Sequence, residues 1–435
     1  VSDDLLNQAA DLMRIAREAG ADVASTGMGI GTSLSVQRRL GKVEETERAE
    51  SRGMTLRVFV GQKVASVSAG SIDPAAFQRM AEQAVAMARV VPDDIYDEIP
   101  EAPPPIDAGF LELDDPVEPD MATLIGRAAA AEDSALAVTG ITNSEGASAG
   151  WGRSQTVLVT SRGFAGAYTR SSHGMSISVI AGSGTGMQVD YDSCSAVHGA
   201  DLEDAAAMGR RAADQALARL NPVRPKTAKL PVVFDPRVSG GLIGHLSSAI
   251  SGATIARGTS FLREKLGARI FSAGIDVIDD PLRVRGLRSR SFDSEGQRVS
   301  ARKFIEDGVL TSWILGTRSA NQLGLKTTGN AGGTSNWYMA PGRVSPAALM
   351  ADIAEGLYVT GMMGMGINGL TGDYSRGAHG FMIRNGALAE PVAEITIAGN
   401  LLEMFAALVP ADDLTFKRGT NAPTIRIDGM VMAGG

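Results

Sequence analysis

The chain has 435 residues, 44% of them hydrophobic and 21% charged, with a formal net charge of -8 at pH 7. That composition excludes a disordered or fibrous chain, and the length calls for two or three domains instead of one core. The negative charge sets the surface against nucleic acid and anionic lipid, and the lone cysteine, Cys194, excludes an internal disulfide or thiolate cluster and points to a reducing, cytoplasmic setting.

No run of about 18 apolar residues free of charge occurs, and the chain begins with acidic residues, so neither a membrane span nor a secretory signal is read. The first residue is Val1 and not Met, which leaves open a segment ahead of it. Leu5, Leu6, Ala9, Leu12, Met13 and Ala16 recur at helical spacing and predict a first helix, capped by Ser2 and ended by Gly20. Residues 22–68 then change to short alternating runs punctuated by Gly31, Gly41, Gly53 and Gly61, the texture of an antiparallel meander. Asp73 before Pro74 is a helix start, and Phe77, Met80, Ala81, Ala84, Val85 and Ala88 form the buried stripe of that helix.

Prolines crowd residues 92–119, including Pro103, Pro104 and Pro105, and predict an extended surface connector. A helix over 121–137, strands near 155–160 and 175–180, and a helix over 203–220 repeat the first plan, although the residues themselves show no convincing repeat. Beyond 221–225 the predicted elements are a strand at 230–234, helices at 239–250, 260–266 and 346–359, and strands at 381–383, 394–397 and 424–427. Lys226 with Lys229, and the arginines between 283 and 302 that alternate with apolar residues, read as solvated faces of strands. The fold class is therefore α+β, with two helix-strands-helix units (1–112 and 113–224) followed by a β-rich C-terminal domain (225–435).

Tetrahedral zinc needs several nitrogen, sulfur or oxygen donors converging on one point. The four histidines, His173, His198, His245 and His379, include no pair within one helical turn. His245 falls on the apolar stripe of its helix, and the other three sit in glycine- and serine-rich stretches read as loops. Gly146-Ala147-Ser148-Ala149-Gly150 matches the nucleophile-elbow string, but turn and strand follow it instead of a helix. Gly364 to Gly369 fits a dinucleotide fingerprint only as a string, since no helix follows. Cys194 lies among Asp190 and Asp192, which disfavour a thiolate. The segment 327–342 brings backbone amides and small polar side chains into a tight turn, and Asn330, Gly332, Gly333, Ser335 and Asn336 are candidate peptide-binding residues, against the alternative of a complicated hairpin connection. The methionine-rich run 361–380 reads as a loop at an interface.

Leu242-Ile243-Gly244-His245-Leu246-Ser247-Ser248-Ala249-Ile250-Ser251-Gly252, Gly258-Thr259-Ser260-Phe261-Leu262, Asp279-Asp280-Pro281 and Thr328-Gly329-Asn330-Ala331-Gly332-Gly333-Thr334-Ser335-Asn336 resemble the PmbA (TldE) branch of the TldD/PmbA family, also known as peptidase U62 or modulator of DNA gyrase. The likeness extends upstream through Glu44-Glu45, Glu50-Ser51-Arg52-Gly53 and Arg57-Val58-Phe59-Val60-Gly61. It implies a three-part chain, a role in cytoplasmic proteolysis that includes peptide-antibiotic maturation and antitoxin degradation, and pairing with a TldD-type catalytic subunit that carries the zinc. The catalytic branch's His, Glu and second His would fall on Ile243, Gly244 and Ser248, so no catalytic or metal-ligating residue is assigned to this chain. The expected function is a non-metal-binding partner subunit of a zinc metallopeptidase that acts on unfolded or small peptides. A free-standing interaction or regulatory protein of the gyrase-modulator type, an independent hydrolase with a cryptic site, and a homodimer in isolation are left open.

Overall fold

The computed structural model describes residues 3–364 and 366–435, so the expected capping role of Ser2 lies outside the described residues. The first unit is α1 (Asp3–Glu18), β1 (Val23–Arg39), β2 (Lys42–Val60), β3 (Lys63–Ala69) and α2 (Phe77–Val90). The stripe read for α2 is the buried one, and of the α1 stripe Leu5, Ala9, Leu12 and Ala16 are buried while Leu6 and Met13 are partly so. The strands are longer than the glycine punctuation suggested. Gly31 and Gly53 lie inside β1 and β2, whereas Gly41 and Gly61 take the positive φ of the connecting turns.

The connector contains only a short 3-10 turn, Gly109–Leu111. The second unit is α3 (Met121–Leu136), β4 (Ile141–Thr160), β5 (Ala165–Ala181), β6 (Gln188–Ala196) and α4 (Ala205–Ala218), with Asp120 and Asp204 capping the two helices. Both units share one antiparallel sheet of order β3-β2-β1-β4-β5-β6, with β1 and β4 side by side at its centre. Side chains alternate across a strand. Ala24 and Met28 of β1 accordingly pack with α1 and α2, and Leu34 and Val36, of the same parity, pack with α3 and α4. The helices thus cover one face, and Ser25, Gly27, Gly29, Gly31 and Ser33 carpet the other.

The two units are joined at a buried carboxylate. Glu132 on α3, fully buried, accepts from Arg38 Nη1 at 2.9 Å and from the backbone N–H groups of Leu40 at 2.7 Å and Gly41 at 3.1 Å. A charge held this way is stable only while all its partners remain.

The C-terminal domain runs β7 (Ala228–Phe234), α5 (Pro236–Ala249), α6 (Gly252–Ala256), β8 (Val277–Asp279), β9 (Arg302–Glu306), β10 (Val309–Leu310), α7 (Thr317–Gln322), β11 (Trp337–Met339), α8 (Pro346–Met350), β12 (Glu355–Met363), β13 (Asp373–Arg384), β14 (Ala387–Asn400), α9 (Leu401–Ala407), β15 (Leu408–Pro410), β16 (Thr420–Asn421) and β17 (Ile425–Ala433). One sheet has the order β14-β13-β12-β7-β17-β15, and an added β14–β17 pairing closes its first five strands into a ring. A smaller sheet, β10-β9-β8-β11-β16, lies beside it, and α5 packs into the shared core, where Trp337 Nε1 donates to the Ile243 carbonyl at 2.8 Å. Three expectations are corrected. Residues 260–266 form turns instead of a helix, and the helix expected over 346–359 stops at Met350 because Leu357 to Val359 pair in parallel with β7. The arginines from 283 to 298 wind through turns instead of strands.

Replacing Glu132 by Ala should leave two turn amides without their acceptor and Arg38 with only Asp133 and the Ala129 carbonyl. The expected loss in a urea-unfolding measurement is about 3–5 kcal/mol, with Glu132→Gln falling between that variant and the parent.

Candidate functional site

β6 is one of the two edge strands of the sheet shared by the first two units, and a groove follows it from Gln188 to Val197. The groove is made of three adjoining cavities of about 680, 460 and 310 Å³ that share Arg418 as a lining residue. β6 forms one wall. The other belongs to the C-terminal domain, from the start of α5 (Arg237, Val238, Gly241), through the ends of β12 and β13, to residues 413–422 and 283–287. The sequence hid this site because β6, with its polar Asp-Tyr-Asp-Ser-Cys-Ser run, lacks the apolar alternation that announces a strand.

Ion pairs fix the width of the groove. Asp190, 4% exposed on β6, receives Arg237 of α5 at 2.8 Å and Arg219, just past α4, at 3.5 Å. Asp192 receives Arg211 of α4 at 2.8 Å. The same two aspartates accept the outward N–H groups of Tyr191 and Ser193, each at 2.8 Å. The edge is therefore locally satisfied when nothing lies on it, which is how a strand edge avoids pairing with the wrong chain. Apolar side chains are nonetheless presented to solvent along the largest cavity, with Tyr191 48% and Met363 58% exposed.

At the wide end stand Thr360, Gly361, Arg376 and His379. Gly361 faces His379 across the β12–β13 ladder, and any Cβ there would overlap the imidazole. Burial pushes His379 down to about 4, with Arg219 adding to the effect. Burial likewise pushes His245, on α5, down to about 4, with the Arg376 charge adding to it. Both rings are neutral at pH 7.

The candidate peptide-binding residues 330–336 are mostly committed within the C-terminal domain. Asn330 Nδ2 and the Ser335 N–H donate to the buried Asp279 carboxylate, each at 2.7 Å, and Asn336 Nδ2 donates to the Asp280 carbonyl at 2.6 Å and to Ser289 Oγ at 2.8 Å. Gly332 is exposed and Gly333 half-buried. Of the five, Asn336 alone lines the groove. Ile243 is fully buried, Ser248 is exposed, and the Gly244 carbonyl accepts the hydroxyls of Ser247 and Ser248. Among the described residues no group of three or more His, Cys, Asp and Glu converges so as to hold a metal, and a helix offering Ile243, Gly244 and Ser248 does not fit one.

His173 and His379 lie on strands and not in loops. His173 is 3% exposed, with Nε2 3.1 Å from Asp115 Oδ2 but outside hydrogen-bonding geometry. His198 Nε2 contacts the Glu112 carbonyl at 2.9 Å. Ser148 sits mid-strand in β4, 2.8 Å from Ser176 Oγ, so the elbow string makes no elbow. Cys194 is buried, and burial pushes its thiol up. The run Gly364 to Gly369 includes Met365, which lies outside the described residues; no helix follows it.

Models of the PmbA/TldA metallopeptidase match the chain in three consecutive blocks: domain 1 at residues 29–88, the central domain at 114–220 and the C-terminal domain at 227–434. The chain belongs to the PmbA/TldA metallopeptidase family. Metalloprotease PmbA of Escherichia coli O157:H7 is 36% identical over 417 residues, covering 95% of this chain and 93% of that protein. The metalloprotease PmbA homolog of Haemophilus influenzae is 34% identical over 420 residues, covering 96% and 92%. Among solved structures, a protein described as a modulator of DNA gyrase from Bacteroides thetaiotaomicron superposes with a TM-score of 0.92 at 25% identity over the whole of both chains. TldE from Thermococcus kodakarensis superposes at 0.86 with 20% identity, covering 98% of this chain and 100% of that one, and shows the fold alone. Among the described residues no helix is long and apolar enough to cross a membrane.

The two histidines make stability depend on pH. Their folded values lie below the ordinary 6.5, so as pH falls the unfolded chain takes up protons first. Stability is full above about 6.5 and declines toward 4. In an NMR titration the His245 and His379 imidazole signals should hold their neutral positions until near pH 4. The denaturant midpoint should fall across the same window, and a His245→Gln, His379→Gln double variant should flatten that decline.

Proposed function

We propose that this chain is the non-metal-binding partner of a TldD-type zinc peptidase subunit, and that its groove along β6 holds an extended stretch of an unfolded or small peptide. The observation that carries the reading is the pairing of a free strand edge with α5. This helix, on which the family resemblance places the zinc ligands of the catalytic branch, forms the opposite wall and offers no donor set there.

The chemistry assigned to this chain is binding and selection. At about 3.3 Å per residue, the nine residues of β6 match a peptide segment of similar length. Strand addition draws affinity from main-chain hydrogen bonds and is tolerant of sequence. A folded domain cannot thread between β6 and α5, whose separation is fixed by the Asp190–Arg237 pair, whereas a flexible chain can. Hydrolysis then falls to the partner, which supplies the metal and the bound water it activates. Peptide-antibiotic precursors and antitoxins, short or unfolded when cleaved, are substrates of the right kind. The setting proposed is the cytoplasm.

The test uses three samples: this chain, a TldD-type partner, and their mixture. Association is followed by sedimentation, metal by elemental analysis, and cleavage on an unfolded peptide. The mixture should form a complex that cleaves many-fold faster than either chain alone, with the metal in the partner. Cleavage by this chain alone, at a rate the partner does not change, would show an independent hydrolase. A mixture that neither associates nor gains activity would favour a free-standing interaction protein.

A further inference from the structure

The wide end of the groove carries a positive charge that no carboxylate among the described residues neutralises. Of its neighbours, Arg237 and Arg219 share Asp190, Arg224 meets Glu394, and Arg418 donates to the Arg237 carbonyl. Arg376 differs. It lines the 680 Å³ cavity, its Nε is buried without a hydrogen-bond partner, and among the described residues its side chain meets the Tyr374 hydroxyl but no carboxylate. The Thr360 hydroxyl, on a residue only 8% exposed in the same cavity, is also buried and unpartnered.

A half-buried guanidinium without a counter-ion is costly, and so is a buried hydroxyl without a partner. The planar fork of arginine matches a carboxylate, and such charge-assisted bonds are the strong ones. Met362, Met363 and Tyr191 add an apolar flank that lowers the local dielectric and gives the rest of a ligand a surface to lie on. With His379 neutral and Asp190 committed to two arginines, Arg376 and Arg418 are the cavity's arginines without an ion pair among the described residues, and of these two only Arg376 has a buried nitrogen without a hydrogen-bond partner.

Resting on the peptide-groove reading, we propose that this end of the groove is a carboxylate subsite, in which Arg376 and the Thr360 hydroxyl take a carboxylate of the bound peptide, either its free C-terminus or an acidic side chain. The subsite would set the register of the peptide by fixing one charged group, while the β6 edge accepts any sequence between.

The probes are unstructured octapeptides carrying an N-terminal fluorophore. One has neutral side chains and a free C-terminal carboxylate, one is its C-terminal amide, and one is an amide with a glutamate in place of glutamine. Binding is followed by anisotropy on the full-length chain, alone and mixed with a TldD-type partner. At least one carboxylate peptide should bind roughly tenfold tighter than the neutral amide. Preference for the free acid assigns the site to the C-terminus, and preference for the glutamate peptide assigns it to side chains. In Arg376→Met the preference should shrink below about twofold with affinity for the neutral amide unchanged. Equal binding of all three peptides to the unaltered chain overturns the subsite and leaves the groove standing, a comparison that needs no variant to fold. Failure of every peptide to bind overturns both.

Discussion

Asp190 is one carboxylate, almost wholly buried, with arginines reaching it from two directions: Arg219 from the end of α4 in its own unit, and Arg237 from α5 in the C-terminal domain. Removing either kind of partner from such a group leaves an unneutralised charge in a poorly solvated place, which costs several kcal/mol (about 3–5 for a broken buried pair). The spacing between the edge strand and α5 is therefore not a soft variable. Around this joint, Glu203 takes Lys417 and Arg211, while Arg285 reaches Glu112 and Asp201. Phe292 lies edge-on to Phe164 at 5.1 Å and Tyr168 at 5.4 Å. The groove runs along the ion pairs of this joint.

The helices and their faces were legible in the sequence because burial of an amphipathic stripe is a local, periodic signal. The buried residues of α2 are the six that periodicity named. The long strands of the first sheet were legible only in part. The first half of β2 is charged and exposed on both faces, β4 is rich in serine and glycine over its first half, and β6 carries polar residues on both faces, so the alternation that marks a half-buried strand is missing there; β4 was foreseen only at its apolar end and β6 not at all. The helix expected to continue through Val359 failed for a different reason. Leu357 to Val359 suit a helix as well as a buried parallel strand, and the pairing with β7 that decides between them spans more than a hundred residues of sequence.

The candidate site divides along the same line. Density of small polar residues drew attention to 330–336, and the structure shows what that density does: it feeds the buried carboxylates Asp279 and Asp293 with amide donors, Ala331 N–H to Asp293 at 3.0 Å among them. The groove is assembled from residues between 188 and 422 that no local pattern joins, and its most telling atoms, Arg376 Nε and Thr360 Oγ1, are recognisable only by the partners they lack. Sequence did register the family resemblance. It could not show that α5 borders the largest cavity in the groove.

Hydrogen–deuterium exchange of the full-length chain, with and without an excess of unfolded peptide, tests the central claim directly. Peptide should slow exchange at the β6 amides, Val189, Tyr191 and Ser193 above all, and in the first turns of α5, with the 330–336 segment little changed. Protection confined to any other surface, with β6 exchanging at its free rate while peptide is demonstrably bound, would contradict the account.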